Sequence, residues 1–162
     1  MTFPRMAALA ALLLAAACAG HRHGVTRAST VRAATQCGAS DEAPSARWIA
    51  TEGELRAALG SGAVLGTPEP APAVDFSNEA VLAVFMGQKR TAGFGLALHE
   101  AEVAVADGRA TLVVRFEEPP PGAMLAQVVT SPCLLLRLPR SGIREVRVVD
   151  PGGALRAKAS LP

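Results

Sequence analysis

Tyrosine is absent from this chain, tryptophan occurs once, at Trp48, and aromatic residues make up only 4% of the 162 positions. So few rings leave little platform for stacking sugars. Charge of one sign is also missing: 16 basic against 14 acidic residues give a formal net charge of +2. A nucleic-acid binder carries a basic stripe, so that class is excluded. Lysine is scarce, at Lys89 and Lys158, and arginine supplies the other cations. From Arg47 onward the formal charges balance, and no field steers an anionic partner.

Catalytic motifs are missing too. There is no Gly-x-Ser-x-Gly nucleophile elbow. Beyond Arg47 the sole histidine is His99, so a Ser–His–Asp arrangement would have to join it to Ser131 and Asp150 without local support. Gly93-Phe94-Gly95 lacks the third glycine of a phosphate loop and opens a strand. Glu117 and Glu118 are adjacent, so on a strand they point to opposite faces and share no site. His21-Arg22-His23 lacks the preset geometry of a metal site. The expectation is a protein that is not an enzyme, with no cofactor and no metal.

What is present begins with an address. Arg5 is followed by an unbroken apolar run of 12 residues, Met6 to Ala17. That is too short to span a bilayer and suits the core of a signal peptide. Two endings are open. Ala15-Ala16-Ala17 would serve as a small-residue cleavage site and release a soluble secreted or periplasmic protein. Cys18, after those small residues and Leu12-Leu13-Leu14, resembles a bacterial lipobox cysteine, although Ala15 stands three residues before it where the motif has leucine. The preferred reading is an exported protein held in the bacterial cell envelope, at the outer membrane or periplasmic face, by lipid on Cys18. Multiple acyl chains, palmitate among them, would hold it firmly.

Three segments follow: a signal peptide at 1–17, a lipidated cysteine and flexible tether at 18–46, and a single β-rich domain at 47–162. The tether is read from Ala, Ser, Thr, Gly and scattered charge without apolar period. Once Cys18 is acylated, Cys37 and Cys133 are the thiols left in an oxidising compartment. Either they pair as a disulfide that clips the tether to the domain, or Cys37 is a tether thiol and Cys133 a buried small hydrophobe.

The domain is organised around VLAVFMGQKRTAGFGLAL, Val81 to Leu98. Val81 to Met86 is apolar throughout, the pattern of a strand covered on both faces. Gly87 to Gly93 is polar and glycine-bracketed, a hairpin or corner. Phe94, Leu96 and Leu98 then face one side. Ahead of this stretch, Thr51-Glu52-Gly53-Glu54 fits a capping box, and Leu55, Ala58 and Leu59 make one face of a short helix on which Trp48 is expected to pack. TPEPAPA, Thr67 to Ala73, is a proline-broken connector.

Behind it, Asp107-Gly108 between alternating runs predicts a hairpin, with Leu112, Val114 and Phe116 inward. Pro119 to Gly122 is a stiff turn. Met124 to Val129, Cys133 to Leu138, Ile143 to Val149 and Ala154 to Ser160 read as strands, the last at an edge. The fold class is mainly β: a small antiparallel β-sandwich or partly open barrel of about seven strands with one short N-terminal helix, after a signal peptide and disordered tether.

Binding is the remaining class, and two loops are its candidates: Gln88 to Gly95, with Lys89, Arg90, Thr91, Gly93 and Phe94, and the segment Thr130, Ser131, Pro132. Gly87, Gly93 and Gly95 either admit close approach of another backbone or simply build a turn.

From Val74 to Val149 the chain resembles the PrcB-type family, whose C-terminal domain occurs in lipoprotein-like subunits of bacterial protease complexes. The residues that carry the likeness are Val74-Asp75-Phe76-Ser77, the Val81–Leu98 stretch, the turn Pro119 to Gly122, and VVTSPCLLLRLP from Val128 to Pro139. Where the family has Thr-Gly-Gly-Tyr this chain has Thr91-Ala92-Gly93-Phe94. Where it has Thr-Ser-Pro-Tyr this chain has Thr130-Ser131-Pro132-Cys133. The resemblance implies a non-catalytic accessory subunit that tethers or stabilises a secreted protease, of subtilisin or another type, with a protein partner and no nucleic acid. Two alternatives stand beside it: a chagasin-like protease inhibitor, to which the Thr-x-Gly-aromatic loop is similar, and an envelope polysaccharide-binding module.

Overall fold

A computed structural model describes residues 23–60 and 73–161. The segment 1–17 expected as a signal peptide, Cys18 and most of the proline connector fall outside them. Among the described residues the chain forms ten strands and one helix. They are β1 (His23–Arg27), β2 (Ser29–Ala34), β3 (Ser45–Ile49), α1 (Glu52–Gly60), β4 (Glu79–Phe85), β5 (Gly95–Leu98), β6 (Glu102–Ala106), β7 (Arg109–Glu117), β8 (Cys133–Pro139), β9 (Glu145–Val149) and β10 (Leu155–Ser160).

Two sheets pack as a sandwich. One runs β1-β6-β7-β9-β10, with β5 continuing the β6 side of β7; the other runs β2-β8-β4-β3. Every pairing between these strands is antiparallel except β7 with β9, which is parallel. That exception corrects the all-antiparallel expectation. It arises because β8 leaves for the second sheet, so β9 returns beside β7 in the same direction.

The continuous apolar run of β4 has the predicted cause. Leu82, Val84, Leu134, Leu136 and Leu138 face the first sheet with Leu112, Val114, Val146 and Val148. Val81, Ala83, Phe85 and Leu135 face the other way, under Leu55, Ala58 and Leu59 of α1. The centre of the four-stranded sheet, β4 and β8, is therefore a middle layer, buried on both faces.

The helix starts as its capping signal says. Thr51 Oγ1 accepts from the Glu54 amide at 3.2 Å, and Glu54 Oε2 accepts from the Ala50 amide at 2.8 Å, one residue before the expected cap amide. Trp48 does not pack on this helix. In β3 alternate residues face opposite ways, so Ile49 meets α1 while Trp48 lies against the core between the sheets. Its buried Nε1 has no hydrogen-bond partner among the described residues.

The largest correction concerns the tether. Residues 23–46 are not a leash: 23–34 form two strands and β3 begins at Ser45, with β1 paired to β6, β2 to β8 and β3 to β4. The segment lacks an apolar period because β1 is a largely exposed and β2 a half-buried edge strand. Their order comes from partners far along the chain, not from their own burial. Cys37, just after β2, is disulfide-bonded to Cys133 at the start of β8, with a Cα–Cα distance of 5.9 Å.

Met124 to Val129, expected as a strand, pairs with none. The turn at Asp107–Gly108 is a two-residue hairpin between β6 and β7, with φ of 53° and 78° at its centre, and β10 is an edge strand.

Candidate functional site: a loop pole

The stretch after β4 is a corner. β4 belongs to one sheet and β5 to the other, so Gly87 to Phe94 carries the chain across the end of the sandwich. At its start, Gly87 has φ +83°, and a Cβ there would lie 2.2 Å from the Glu42 carbonyl oxygen. The backbone that approaches this glycine is the chain's own 41–43 segment, fixed by Gln88 N–H donating to the Asp41 carbonyl at 2.8 Å. At the corner's far end Gly93 has φ +97°, and a Cβ would meet Pro119 Cβ at 3.0 Å and Leu125 Cδ2 at 3.3 Å.

The two loops singled out in the sequence come together here. Lys89 and Thr130 form an isolated antiparallel bridge. Thr130 Oγ1 donates to the Thr91 carbonyl at 3.1 Å, and the Ala92 amide donates to Ala126 at 3.0 Å.

Their roles differ from expectation. Thr130, Ser131 and Pro132 are buried, Thr130 and Ser131 at 6% and 4% exposure. Ser131 Oγ accepts from the amides of Cys37 and Gly38, both at 3.0 Å. Its own amide donates to the Thr35 carbonyl at 2.9 Å, and its carbonyl accepts from Cys37. This tripeptide is an internal clamp that seats the N-terminal segment under the corner. Its side chains face the chain itself. Phe94 is half-buried against the core, with Lys89 Nζ 5.7 Å above its ring centre. Arg90 and Gly93 are exposed, and Thr91 is half-buried.

The exposed part of the pole is the segment 123–129, which the sequence predicts as a strand from Met124 onward. Met124 is 101% exposed, Val128 46% and Val129 56%, and Ala123 and Ala126 lie open beside them. Of that run Leu125 is the residue turned inward, against Gly93. The sequence held a signal. The run lies between Pro119–Gly122 and Pro132, and its exposed members Met124, Val128 and Val129 do not follow a period of two. Below it an open groove of about 420 Å³ is lined by Glu42, Gln88, Lys89, Arg90 and Val129.

The residues considered for catalysis are dispersed. Nδ1 of His99 faces an Arg115 guanidinium nitrogen at 3.1 Å. Ser131 is the clamp just described. Asp150 Oδ1 accepts from the amides of Gly152 and Ala154, both at 3.0 Å, in the β9–β10 turn. Each group is committed to local structure.

Residues 80–139 match the family model described as PrcB C-terminal. The matched span runs from β4 through the corner, β5 to β7 and the exposed run into β8. The PrcB-type likeness is thereby shown over this segment. No curated protein and no solved structure matches the chain.

Proposed function

We propose that this chain is a non-catalytic accessory subunit of the bacterial cell envelope, held at a membrane by lipid on Cys18, that binds a secreted protease and stabilises or tethers it. Supporting it is the PrcB-type match over residues 80–139, a family that points to accessory domains of protease complexes. The observation that carries it is the apolar run Met124, Val128, Val129, exposed within that same span and flanked by Lys89 and Arg90. Clustered exposed apolar side chains on a folded domain mark a surface that another macromolecule covers. The backbone beneath is pinned by the Lys89–Thr130 bridge and the Cys37–Cys133 disulfide, so binding costs little ordering.

The test is affinity purification of the tagged chain from its native membranes, followed by mass spectrometry and by assay of protease yield in its absence. Recovery of a protease whose yield falls when the chain is deleted is the expected result. Recovery of none, or retention of the chain on purified cell-wall sacculi, overturns the proposal. The inhibitor alternative predicts lower protease turnover in a simple assay, relieved by substitution of Thr91, Gly93 or Phe94. The packing of Phe94 onto the core weighs against it. Cys18→Ala is expected to move the chain from the membrane to the soluble fraction.

A further inference from the structure

The sandwich has two poles, and β7 measures the distance between them. β7 begins at Arg109 beside the Asp107–Gly108 turn and ends at Glu117 opposite Gly95. At about 3.3 Å per residue that is roughly 27 Å. The corner and the exposed run occupy the Glu117 end, because Gly93 abuts Pro119 and Leu125.

The chain enters at the opposite end. His23, the first residue of β1, pairs with Ala106 at the base of the hairpin turn. It also lines an open cleft of about 560 Å³ with Gly108, Gly142 and Arg144. In the sequence only Ala19, Gly20, His21 and Arg22 separate Cys18 from His23. Five steps of at most about 3.6 Å allow a reach of no more than about 18 Å. With residues 23–46 folded onto the domain, the leash has shrunk from a long tether to these four residues.

The turns at this pole are tied together: Arg140 and Arg144 donate to the carbonyl oxygens of Phe76 at 3.2 Å and Asp107 at 2.7 Å. Its charges balance, with Arg109 and Arg137 held by Glu145 at 2.9 Å and Glu79 at 3.7 Å, and with the Asp75 and Asp107 carboxylates in the turns that take up Arg140 and Arg144.

From this we infer that the pole formed by His23, the Asp107–Gly108 turn and the 140–144 turn is the membrane-facing surface, held at the phospholipid headgroups by the short leash, with the apolar run carried at the far end, facing the aqueous phase. The inference rests on the lipid-anchored reading of Cys18. It adds an orientation: the proposed partner surface stands away from the bilayer, at a height fixed by the length of the fold.

The experiment uses the full acylated chain in vesicles of phosphatidylethanolamine and phosphatidylglycerol that carry a nitroxide on a fraction of their headgroups. Tryptophan emission is compared among the parent, Ser141→Trp and Met124→Trp, both substitutions at exposed positions. Loss of the added emission in Ser141→Trp and its retention in Met124→Trp is the expected result. Equal loss at both positions, as for a domain lying flat, overturns the orientation while leaving the anchor intact. So does loss at Met124→Trp alone, or at neither while all three proteins float with the vesicles. If the parent itself fails to float, the anchor reading fails, and the orientation falls with it.

Discussion

Lys89 and Thr130 exchange two backbone hydrogen bonds, each 2.8 Å long, the amide of one donating to the carbonyl of the other in both directions. This exchange joins the corner after β4 to the segment before β8, and it makes one surface of two loops that are remote in sequence. Thr130 is buried so that Lys89, Arg90 and Val129 can stand at the rim.

Gly93→Val is expected to destabilise the domain by more than about 1 kcal/mol, since a β-branched residue resists φ +97° and its Cβ would press on Pro119. Urea unfolding of the oxidised protein measures it. An unchanged midpoint would remove that glycine from the design of the corner.

Cys37→Ser should cost several kcal/mol, about 4.7 from the chain-entropy estimate for a closed loop of about 100 residues. The two cysteines are separated by 96 positions. A reductant should lower the unfolding midpoint of the parent toward that of the variant and leave the variant's own midpoint in place. A parent indifferent to reductant would contradict the disulfide's structural role.

The double variant Val128→Asp with Val129→Asp should keep the parent's stability within about 0.5 kcal/mol, as exposed positions do, and lose the co-purifying partner. Val25→Asp, equally polar and at a 72% exposed position on β1, is the control and should keep both. Partner recovery undiminished in the double variant would separate the apolar run from binding.

Asp75 gives a pH dependence. Hydrogen bonds from the Ser77 side chain, the Asn78 side chain and the Ser77 amide hold its carboxylate below the ordinary value of 3.8. With the folded value depressed, the stability this turn contributes is present above the unfolded value and is lost as pH falls through the folded one. An NMR titration should place the Asp75 carboxyl below a free aspartate, and Asp75→Asn should flatten the acid limb of the stability profile. A carboxyl titrating at or above 3.8 would contradict this turn geometry.

Local chemistry was legible in the chain wherever it sufficed. The apolar run from Val81 to Met86 required cover on both sides, whatever supplied it. Thr51 and Glu54 set the start of the helix, Asp107-Gly108 set a hairpin, and Pro119 to Gly122 excluded a strand. Each depends on side chains within a few residues, so composition and period carry it. The PrcB-type likeness was legible from the same stretch.

Only the tertiary structure decided the rest, because it depends on which distant partner a segment finds. His23 to Ala34 is as polar as a leash and becomes two strands by bonding to β6 and β8. Met124 to Val129 is as apolar as a strand and joins no sheet; its backbone is tied instead to the corner, where the Ala92 amide donates to Ala126. Thr130, Ser131 and Pro132 have the composition of a surface loop and are buried as a clamp. Side-chain period reports whether a residue can be covered; backbone hydrogen bonds to remote strands decide whether it is, and those bonds leave no mark on local sequence.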